Sequence, residues 1–339
     1  MIRLKIIADD KIPFLKGVLE PYADIIYLPG NLITRELAMN ADALLIRTRT
    51  KCNASLLEGT AVKFIATATI GYDHIDVDYC QSKQITWVNV PGCNSASVQQ
   101  YITTALLTLV FDNDYNLCEK TLGIVGAGNV GSKVQKAAAI LGMKVKLNDP
   151  PRARREGKSC FVSLDEIVET SDIITIHVPL NLTGPDKTLH LFNNDLLGKM
   201  KQGSWLMNTS RGEVVETYAL KNALSSGKLS GAVLDVWENE PEIDLELLSQ
   251  TYISTPHIAG YSLEGKINAT VMSVNSFGKY FGIDDLANFR IEYPKNPKID
   301  FKPNINHSIE ENLFLLLNES FPIFDIVEKL KHKPDSFED

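Results

Sequence analysis

The most constraining feature of the sequence is a glycine-rich turn, Gly126-Ala-Gly128-Asn-Val-Gly131, between an apolar run and an amphipathic run. Residues 121–125 predict a strand, and residues 129–141 predict a helix. In that setting the first glycine permits a tight turn, the second lets the backbone approach a pyrophosphate, and the third allows the helix to pack closely on the strand. The turn therefore predicts a dinucleotide site formed by Gly126, Gly128, Asn129, Val130 and Gly131.

The next predicted strand, residues 144–148, is followed by Asp149, 18 residues after Gly131. A carboxylate at this place can hydrogen-bond the ribose hydroxyls of NAD, and it would repel the 2′-phosphate of NADP. Three arginines follow on a segment that we expect to be a solvated loop. NADP therefore stays possible as the cofactor, because an arginine can accommodate its 2′-phosphate. These residues are Arg152, Arg154 and Arg155.

Strand-like and helical segments alternate along most of the chain, which predicts parallel sheets with helical crossovers. We expect an α/β protein in which a Rossmann-type, doubly wound NAD domain is inserted into a smaller, flavodoxin-like substrate (lid) domain. The expected boundaries are 1–95 for the substrate domain, completed by about 260–285, and 96–259 for the NAD domain. Residues 288–339 change in character and are expected to form a partial C-terminal dimerisation domain.

Composition narrows the class of ligand and the cellular location. The 339 residues carry a net charge of −8, which disfavours nucleic acid and anionic membranes as partners. The longest apolar stretch, 105–111, is far shorter than the roughly 20 residues of a membrane span. The five cysteines form no Cys-x-x-Cys pair, so we expect reduced thiols in a cytoplasmic protein and no metal site.

Three polar residues follow three further predicted strands, at 204–208, 231–236 and 252–255. Arg211, Glu240 and His257 therefore fall on the edge of the sheet where ligands bind in open α/β folds. An arginine can hold a carboxylate, an imidazole titrates near neutrality, and a carboxylate can orient that imidazole. The set predicts acid–base chemistry on a small acid.

The glycine turn, the Arg211-Gly pair, the Glu240-Pro pair and the Pro-His257-Ile-Ala-Gly run together resemble the D-isomer-specific 2-hydroxyacid dehydrogenase family. The resemblance covers about residues 4–285. It implies that Arg211 holds the C1 carboxylate and C2 oxygen of the substrate. It also implies that His257 takes the C2 hydroxyl proton while hydride leaves for the nicotinamide, and that Glu240 raises the pKa of His257.

Further motifs are similar to one branch of this family, which oxidises 4-phospho-D-erythronate in vitamin B6 biosynthesis. The more specific of these are the double proline after Asp149 and the tyrosine after His257-Ile-Ala-Gly. This resemblance implies that the substrate contacts, besides Arg211 and His257, are Thr48, Thr69 and Tyr261. It implies that the NAD contacts are Asp149, Val178, Thr209, Ser210, Arg211, Asp235 and Gly260.

Basic residues near Thr48 are candidates for binding the substrate phosphate. Arg47, Arg49 and Lys51 alternate along the chain, so a continuing strand would place all three on one side, opposite Thr48. The alternative interpretation is an ordinary solvated basic edge.

Two other functions stay open at this point. The first is another D-2-hydroxyacid dehydrogenase, acting on 3-phosphoglycerate or on hydroxypyruvate and glycerate. The second is a non-catalytic, dinucleotide-sensing protein related to the corepressors of this family. We also expect a homodimer, paired through the predicted helix at residues 95–110, because the family pairs through a long helix of the nucleotide domain.

Overall fold

The computed structural model describes residues 3–113, 115–157, 159–294 and 300–334. The chain divides into two compact units, each formed by two stretches of sequence. The first unit comprises Met1–Asn94 and Tyr261–Pro297, and the second comprises Ser95–Gly260 and Lys298–Asp339. None of the helices in the described ranges is long and apolar enough to cross a membrane.

The first unit contains a five-stranded parallel sheet in the order β2-β1-β3-β4-β5. Its strands are β1 (Leu4–Asp9), β2 (Ala23–Leu28), β3 (Ala43–Ile46), β4 (Phe64–Thr67) and β5 (Thr86–Val88). Its helices are α1 (Arg35–Ala38), α2 (Ala54–Leu57), α3 (Val77–Ser82), α11 (Leu263–Phe281) and α12 (Asp284–Ala287).

Both faces of this sheet are covered by apolar side chains. Ile6 on β1 packs in one cluster with Phe64 of β4 and Phe277 of α11. Its neighbour Ile7 points to the opposite face and packs in a second cluster with Leu44 of β3. Because side chains alternate across a strand, burial of both faces requires the continuous apolar runs that the sequence shows.

The second unit contains a six-stranded parallel sheet in the order β11-β10-β9-β8-β6-β7. Its strands are β6 (Thr121–Val125), β7 (Lys144–Asn148), β8 (Ile173–Ile176), β9 (Ser204–Asn208), β10 (Leu229–Leu234) and β11 (Ile253–Ser254). Its helices are α4 (Ser95–Asn113), α5 (Asn129–Ile140), α6 (Pro150–Glu156), α7 (Leu164–Thr170), α8 (Asn194–Lys199), α9 (Thr217–Ser225), α10 (Leu245–Gln250), α13 (Ile309–Ser320) and α14 (Ile323–His332).

These two sheets confirm the predicted α/β class with a doubly wound parallel sheet. In the second unit the strand order reverses beside β6, because β7 lies on one side of β6 and β8 on the other. Such a reversal opens a crevice at the carboxyl ends of the strands, which is where nucleotides bind in this class of fold. The glycine turn follows β6 directly and therefore lies at this crevice.

Two local expectations are corrected by the structure. Residues 150–156 form the short helix α6 and not a solvated loop, because Asp149 caps its N-terminus and the prolines occupy its first turn, where no backbone donor is needed. The second concerns residues 263–281, where no helix is predicted. The 19-residue helix α11 lies there, and it buries Val274 and Phe277 against the sheet of the first unit.

The C-terminal helices α13 and α14 pack against the rest of the second unit. Phe314 of α13 stacks on Phe111 of α4 with ring centroids 4.7 Å apart. In α14 the Lys331 ammonium donates a hydrogen bond of 2.8 Å to the carbonyl oxygen of Thr251. Helix α4, predicted to pair two subunits, thus carries α13 on part of its surface. Within the predicted dimerisation segment, residues 295–299 and 335–339 lie outside the described part of the chain.

Candidate active site

The glycine turn after β6 has the shape that a dinucleotide needs. Gly126 has a φ of +92°, and a Cβ there would come within 2.5 Å of the His177 carbonyl oxygen. A Cβ on Gly131 would lie 2.1 Å from the carbonyl oxygen of Gly126, so α5 approaches the turn too closely for any side chain. Gly128 is different, since a Cβ there would meet nothing within 4 Å. Its missing side chain leaves an open, exposed backbone surface at the start of α5, where the helix dipole favours a phosphate.

Asp149 lies at the carboxyl end of β7, beside this turn. Its Oδ2 accepts the Ala127 N–H at 2.9 Å, and its Oδ1 accepts the Arg152 N–H at 2.9 Å. The carboxylate therefore joins the glycine turn to α6 and keeps lone pairs for further donors such as ribose hydroxyls.

The three arginines that left NADP as a possible cofactor all bind other groups of the protein. Arg152 donates to the carbonyl oxygen of Ala127 at 2.5 Å and pairs with Glu156 at 2.6 Å. Arg155 also pairs with Glu156, and Arg154 forms an ion pair with Asp186. These contacts explain the positions of the three arginine side chains without a 2′-phosphate bound beside them.

Arg211 follows β9 in a turn that Asn208 fixes. The buried Asn208 side chain accepts the Ser210 N–H at 3.0 Å and donates to the Arg211 carbonyl oxygen at 2.8 Å. A Cβ on the next residue, Gly212, would lie 1.9 Å from the backbone carbon of Trp237. The Arg-Gly pair is therefore explained by close packing of this turn on the loop that leads to Glu240.

Glu240 and His257 form a directly bonded pair. The Nδ1 of His257 lies 2.7 Å from Oε2 of Glu240, and the other oxygen of Glu240 accepts the Trp237 N–H at 2.8 Å. Both carboxylate oxygens are thus directed by the protein. Burial lowers the pKa of His257, but the Glu240 hydrogen bond and the charges of Glu240 and Asp235 raise it by more, so the pKa lies above its ordinary value although Arg211 opposes this.

The loop that carries His257 is held by Asp235, which is 1% exposed. Its carboxylate accepts the Ile258 N–H at 2.8 Å, the Ala259 N–H at 2.9 Å and the Thr255 hydroxyl at 2.6 Å. Its carbonyl oxygen accepts the His257 N–H at 2.7 Å. Burial raises the pKa of Asp235 to about 6, although the His257 charge and these donors oppose the shift. These bonds hold His257 in a left-handed conformation with a φ of +55°, which a non-glycine residue rarely adopts.

The register of the sheet aligns the strands that carry these residues. Asn208 of β9 pairs with Leu234 of β10, which pairs with Ser254 of β11. The three strands therefore end side by side, and the structure brings Arg211, Glu240 and His257 to one edge of the second unit, as the sequence predicted. A fixed cation beside an imidazole–carboxylate pair can bind an acid and move a proton.

Comparison with known proteins agrees with this geometry. The sequence model described as "D-isomer specific 2-hydroxyacid dehydrogenase, NAD binding domain" matches residues 110–259. An erythronate-4-phosphate dehydrogenase of Bacteroides fragilis is 55% identical over 296 residues, which is 87% of this chain and 84% of the relative. One of Bacteroides thetaiotaomicron is 51% identical over 336 residues, which is 99% of this chain and 94% of the relative. This chain belongs to the erythronate-4-phosphate dehydrogenase family, a branch of the D-isomer-specific 2-hydroxyacid dehydrogenases.

Solved structures of the wider group extend the finding. The D-lactate dehydrogenase of Aquifex aeolicus, complexed with NAD and lactic acid, matches with a TM-score of 0.69 and 28% identity over 83% of this chain and 97% of its own. The NAD⁺-bound 3-phosphoglycerate dehydrogenase of Entamoeba histolytica matches with a TM-score of 0.70 and 25% identity over 86% and 99%. These matches and the family assignment confirm the predicted enzyme class, an NAD-dependent dehydrogenase, and its cofactor NAD.

In the first unit, Thr69 belongs to a hydrogen-bonded group just after β4. Its hydroxyl oxygen lies 2.6 Å from that of Thr67, which lies 3.0 Å from Nε2 of His74. Thr48 is exposed in the turn after β3, and Tyr261 is 63% exposed just before α11. That Thr48, Thr69 and Tyr261 contact the substrate stays a prediction.

The basic residues around Thr48 would share one side only if β3 continued past Ile46, and it does not. The Thr50 N–H donates to the Arg47 carbonyl oxygen at 3.3 Å, which closes a turn immediately after β3. Alternation along a strand therefore ends at Ile46, and Arg47, Arg49 and Lys51 do not line one side of a strand. Arg47 instead donates to the carbonyl oxygen of Lys11 at 2.9 Å, at the end of β1.

Sequence reasoning missed the residues that support the His257 pair. The Thr255 hydroxyl bonds Asp235, 20 positions away, whereas the Trp237 N–H bonds Glu240 three positions on and the Asn208 side chain bonds the backbone of its own turn. Only the motif Asp235-Val-Trp-Glu-Asn-Glu240 offered a signal, because both carboxylates that face the histidine occur within it.

Proposed function

We propose that this protein catalyses the NAD-dependent oxidation of 4-phospho-D-erythronate to (R)-3-hydroxy-2-oxo-4-phosphobutanoate, a step in pyridoxal 5′-phosphate biosynthesis. The observation that carries the proposal is the 2.7 Å contact between His257 and Glu240 on the edge that also holds Arg211. The identity of 51–55% to erythronate-4-phosphate dehydrogenases selects the substrate among 2-hydroxy acids.

Arg211 is the proposed binding residue for the reacting end of the substrate. Its guanidinium presents a planar fork of donors, which suits a carboxylate and the neighbouring C2 oxygen. One of its nitrogens, Nη1, donates to the carbonyl oxygen of Ser210 at 2.7 Å, which fixes the side chain close to its own turn. We assign the guanidinium group of Arg211 to the substrate carboxylate and C2 oxygen.

His257 is the proposed general base. Its Nδ1 faces Glu240, so Nε2 is the atom that takes the proton of the C2 hydroxyl. As the O–H proton moves to Nε2, the C2–H electron pair leaves as hydride, and C2 becomes a carbonyl carbon. The proposed contact residues would hold NAD, which would supply the acceptor for that hydride. Glu240 stabilises the imidazolium that forms, and the proton then passes to solvent.

The proposed NAD contacts are those predicted above, and several local observations support them. The side chain of Val178 lies beside Gly126, within 2.9 Å of the position that a Cβ would occupy. Thr209 and Ser210 lie in the turn that Asn208 fixes. The Asp235 carboxylate already accepts three protein hydrogen bonds, so any contact with NAD uses its remaining lone pairs.

The test measures NADH production from 4-phospho-D-erythronate and, in separate assays, from 3-phosphoglycerate, D-glycerate and D-lactate. Mass spectrometry identifies the keto acid product. We expect the highest kcat/KM for 4-phospho-D-erythronate. A higher value for another acid would reassign the substrate. Tight NADH binding without turnover of any acid would instead favour the dinucleotide-sensing alternative.

A cytoplasmic homodimer is the remaining part of the proposal. All five cysteines are free thiols, which supports a reducing compartment. Helix α4, with 19 residues, is the element that we assign to pairing. Light scattering of the purified protein at micromolar concentration should give about 75 kDa, twice the chain mass of 37.6 kDa, and a mass near one chain would refute the dimer.

A further inference from the structure

Lys266 has an unusual position in the first unit. It lies near the N-terminus of α11, in the turn that Ser262 caps, where the helix dipole disfavours a positive charge. In the part of the chain that the structure describes, no carboxylate oxygen lies within 4.0 Å of its ammonium group. Neither the helix dipole nor an ion pair explains why a half-buried ammonium lies in this place.

The partner of Lys266 is an aromatic ring. Its Nζ lies 3.7 Å from the ring centroid of Tyr261, a cation–π contact that brings the ammonium beside an exposed phenol. The interaction with Lys266 lowers the pKa of Tyr261, burial opposes this, and the charges of Lys266 and Arg47 lower it further. The phenol therefore lies in a positive field that strengthens it as a hydrogen-bond donor.

Arg47 supplies the second charge of this group. Its hydrogen bond to the Lys11 carbonyl directs the guanidinium along the edge where β1 and β3 end, and no ion pair of Arg47 occurs among the described residues. An acid at the same edge, Asp9, is 3% exposed and accepts the Lys11 N–H at 2.8 Å. Two cations and a phenol thus lie near one helix N-terminus, and neither cation forms an ion pair among the described residues, although the exposed Glu264 lies in the same first turn of α11. An anion can bind all of these groups together.

We propose that Lys266, acting with Arg47 and the Tyr261 hydroxyl, binds the phosphate group of the substrate and determines the preference for a phosphorylated acid. This inference rests on the proposed function for the identity of the substrate, but the anion site itself does not. Lys266 is the cleaner position to test, because Arg47 also holds the end of β1.

The decisive variant is Lys266→Met, which keeps the aliphatic stem and removes the charge. We expect its kcat/KM for 4-phospho-D-erythronate to fall about 10- to 100-fold, as for loss of a charge-assisted hydrogen bond. With D-erythronate, which lacks the phosphate, its kcat/KM should stay near that of the unmodified protein. Lys279→Met is the matched control, because Lys279 is an exposed lysine farther along the same helix.

A second readout separates this inference from the proposed function. Inorganic phosphate is titrated calorimetrically into the unmodified protein, Lys266→Met and Lys279→Met. Weaker phosphate binding by Lys266→Met alone supports the anion site, even if 4-phospho-D-erythronate is not oxidised. Equal binding by all three proteins, no binding by any of them, or equal loss of kcat/KM with both acids would overturn the assignment.

Discussion

Two histidines of the second unit follow strands of the same sheet, and their chemistry is opposite. His177 follows β8 directly, and burial lowers its pKa to about 3. Among the residues that the structure describes, its ring nitrogens contact hydroxyls alone, with Nε2 3.0 Å from Thr175 and Nδ1 3.3 Å from Thr209. His257 lies beyond β11 with 45% of its side chain exposed, and it contacts Glu240.

The difference shows that a place at the carboxyl edge of the sheet does not make a histidine a proton carrier. Burial lowers the pKa of both rings, but only His257 has carboxylates near it that more than offset the cost of burying the charge. His177 stays neutral and serves the packing of the strand ends. His257 has a raised pKa, and its side chain reaches solvent.

Removal of each imidazole should give the largest contrast. We expect His257→Ala to lower kcat roughly 10²–10⁴-fold, the contribution of a general acid–base group. We expect no comparable loss in His177→Gln, because a ring that stays neutral does not carry the proton. Steady-state NADH production at saturating substrate measures both. Similar losses in the two variants would contradict the assignment of His257 as base.

Glu240→Gln tests the partner that distinguishes the two rings. Oxidation needs neutral His257, so the rate falls as the pH drops through the pKa of His257, which lies above 6.5 in the unmodified protein. Without the Glu240 charge that pKa falls, and the acid limb of the kcat/KM profile should move to lower pH. We expect kcat to drop about tenfold or more, less than on removal of the base. An acid limb that does not move would mean that Glu240 does not set this pKa.

The charged residues of the candidate site could be predicted from the sequence, but most of the hydrogen bonds that hold them in place could not. Strands β6, β7 and β9 and the residues Arg211, Glu240 and His257 follow from apolar runs and short motifs, which are local signals. The four hydrogen bonds that Asp235 accepts join positions 20 or more residues apart, and the turn after Ile46 depends on where pairing with β4 stops. Helix α11 was not predicted, although its buried residues have helical spacing.

Asp235→Asn tests the hydrogen bonds that hold the loop of His257. The amide can replace only one carboxylate oxygen, and its NH₂ group would face the N–H of either Ala259 or Ile258. A buried donor without an acceptor costs about 1–3 kcal/mol, so the free energy of unfolding should fall by that amount. Urea denaturation at pH 7.5 measures the change. Stability equal to that of the unmodified protein would show that the His257 loop does not depend on these bonds.

The smallest expected effect concerns His177, and it appears in stability and not in turnover. The folded protein binds a proton at His177 only near pH 3, whereas an unfolded histidine binds one near pH 6.5. Between these values the unfolded state holds more protons, so the free energy of unfolding decreases as the pH falls. For one group the decrease is about 1 kcal/mol between pH 7 and pH 5.5.

His177→Gln removes this group, and its stability should therefore fall less steeply between pH 7 and pH 5.5 than that of the unmodified protein. Urea denaturation at several pH values gives both slopes, and all other titrating groups are common to the two proteins. His307→Gln, a substitution of an exposed histidine, is the matched control and should keep the original slope. If His177→Gln also kept that slope, His177 would have to ionise in the folded state much as it does in the unfolded chain. The contrast with His257 would then rest on the Glu240 contact alone, because burial would no longer separate the two rings.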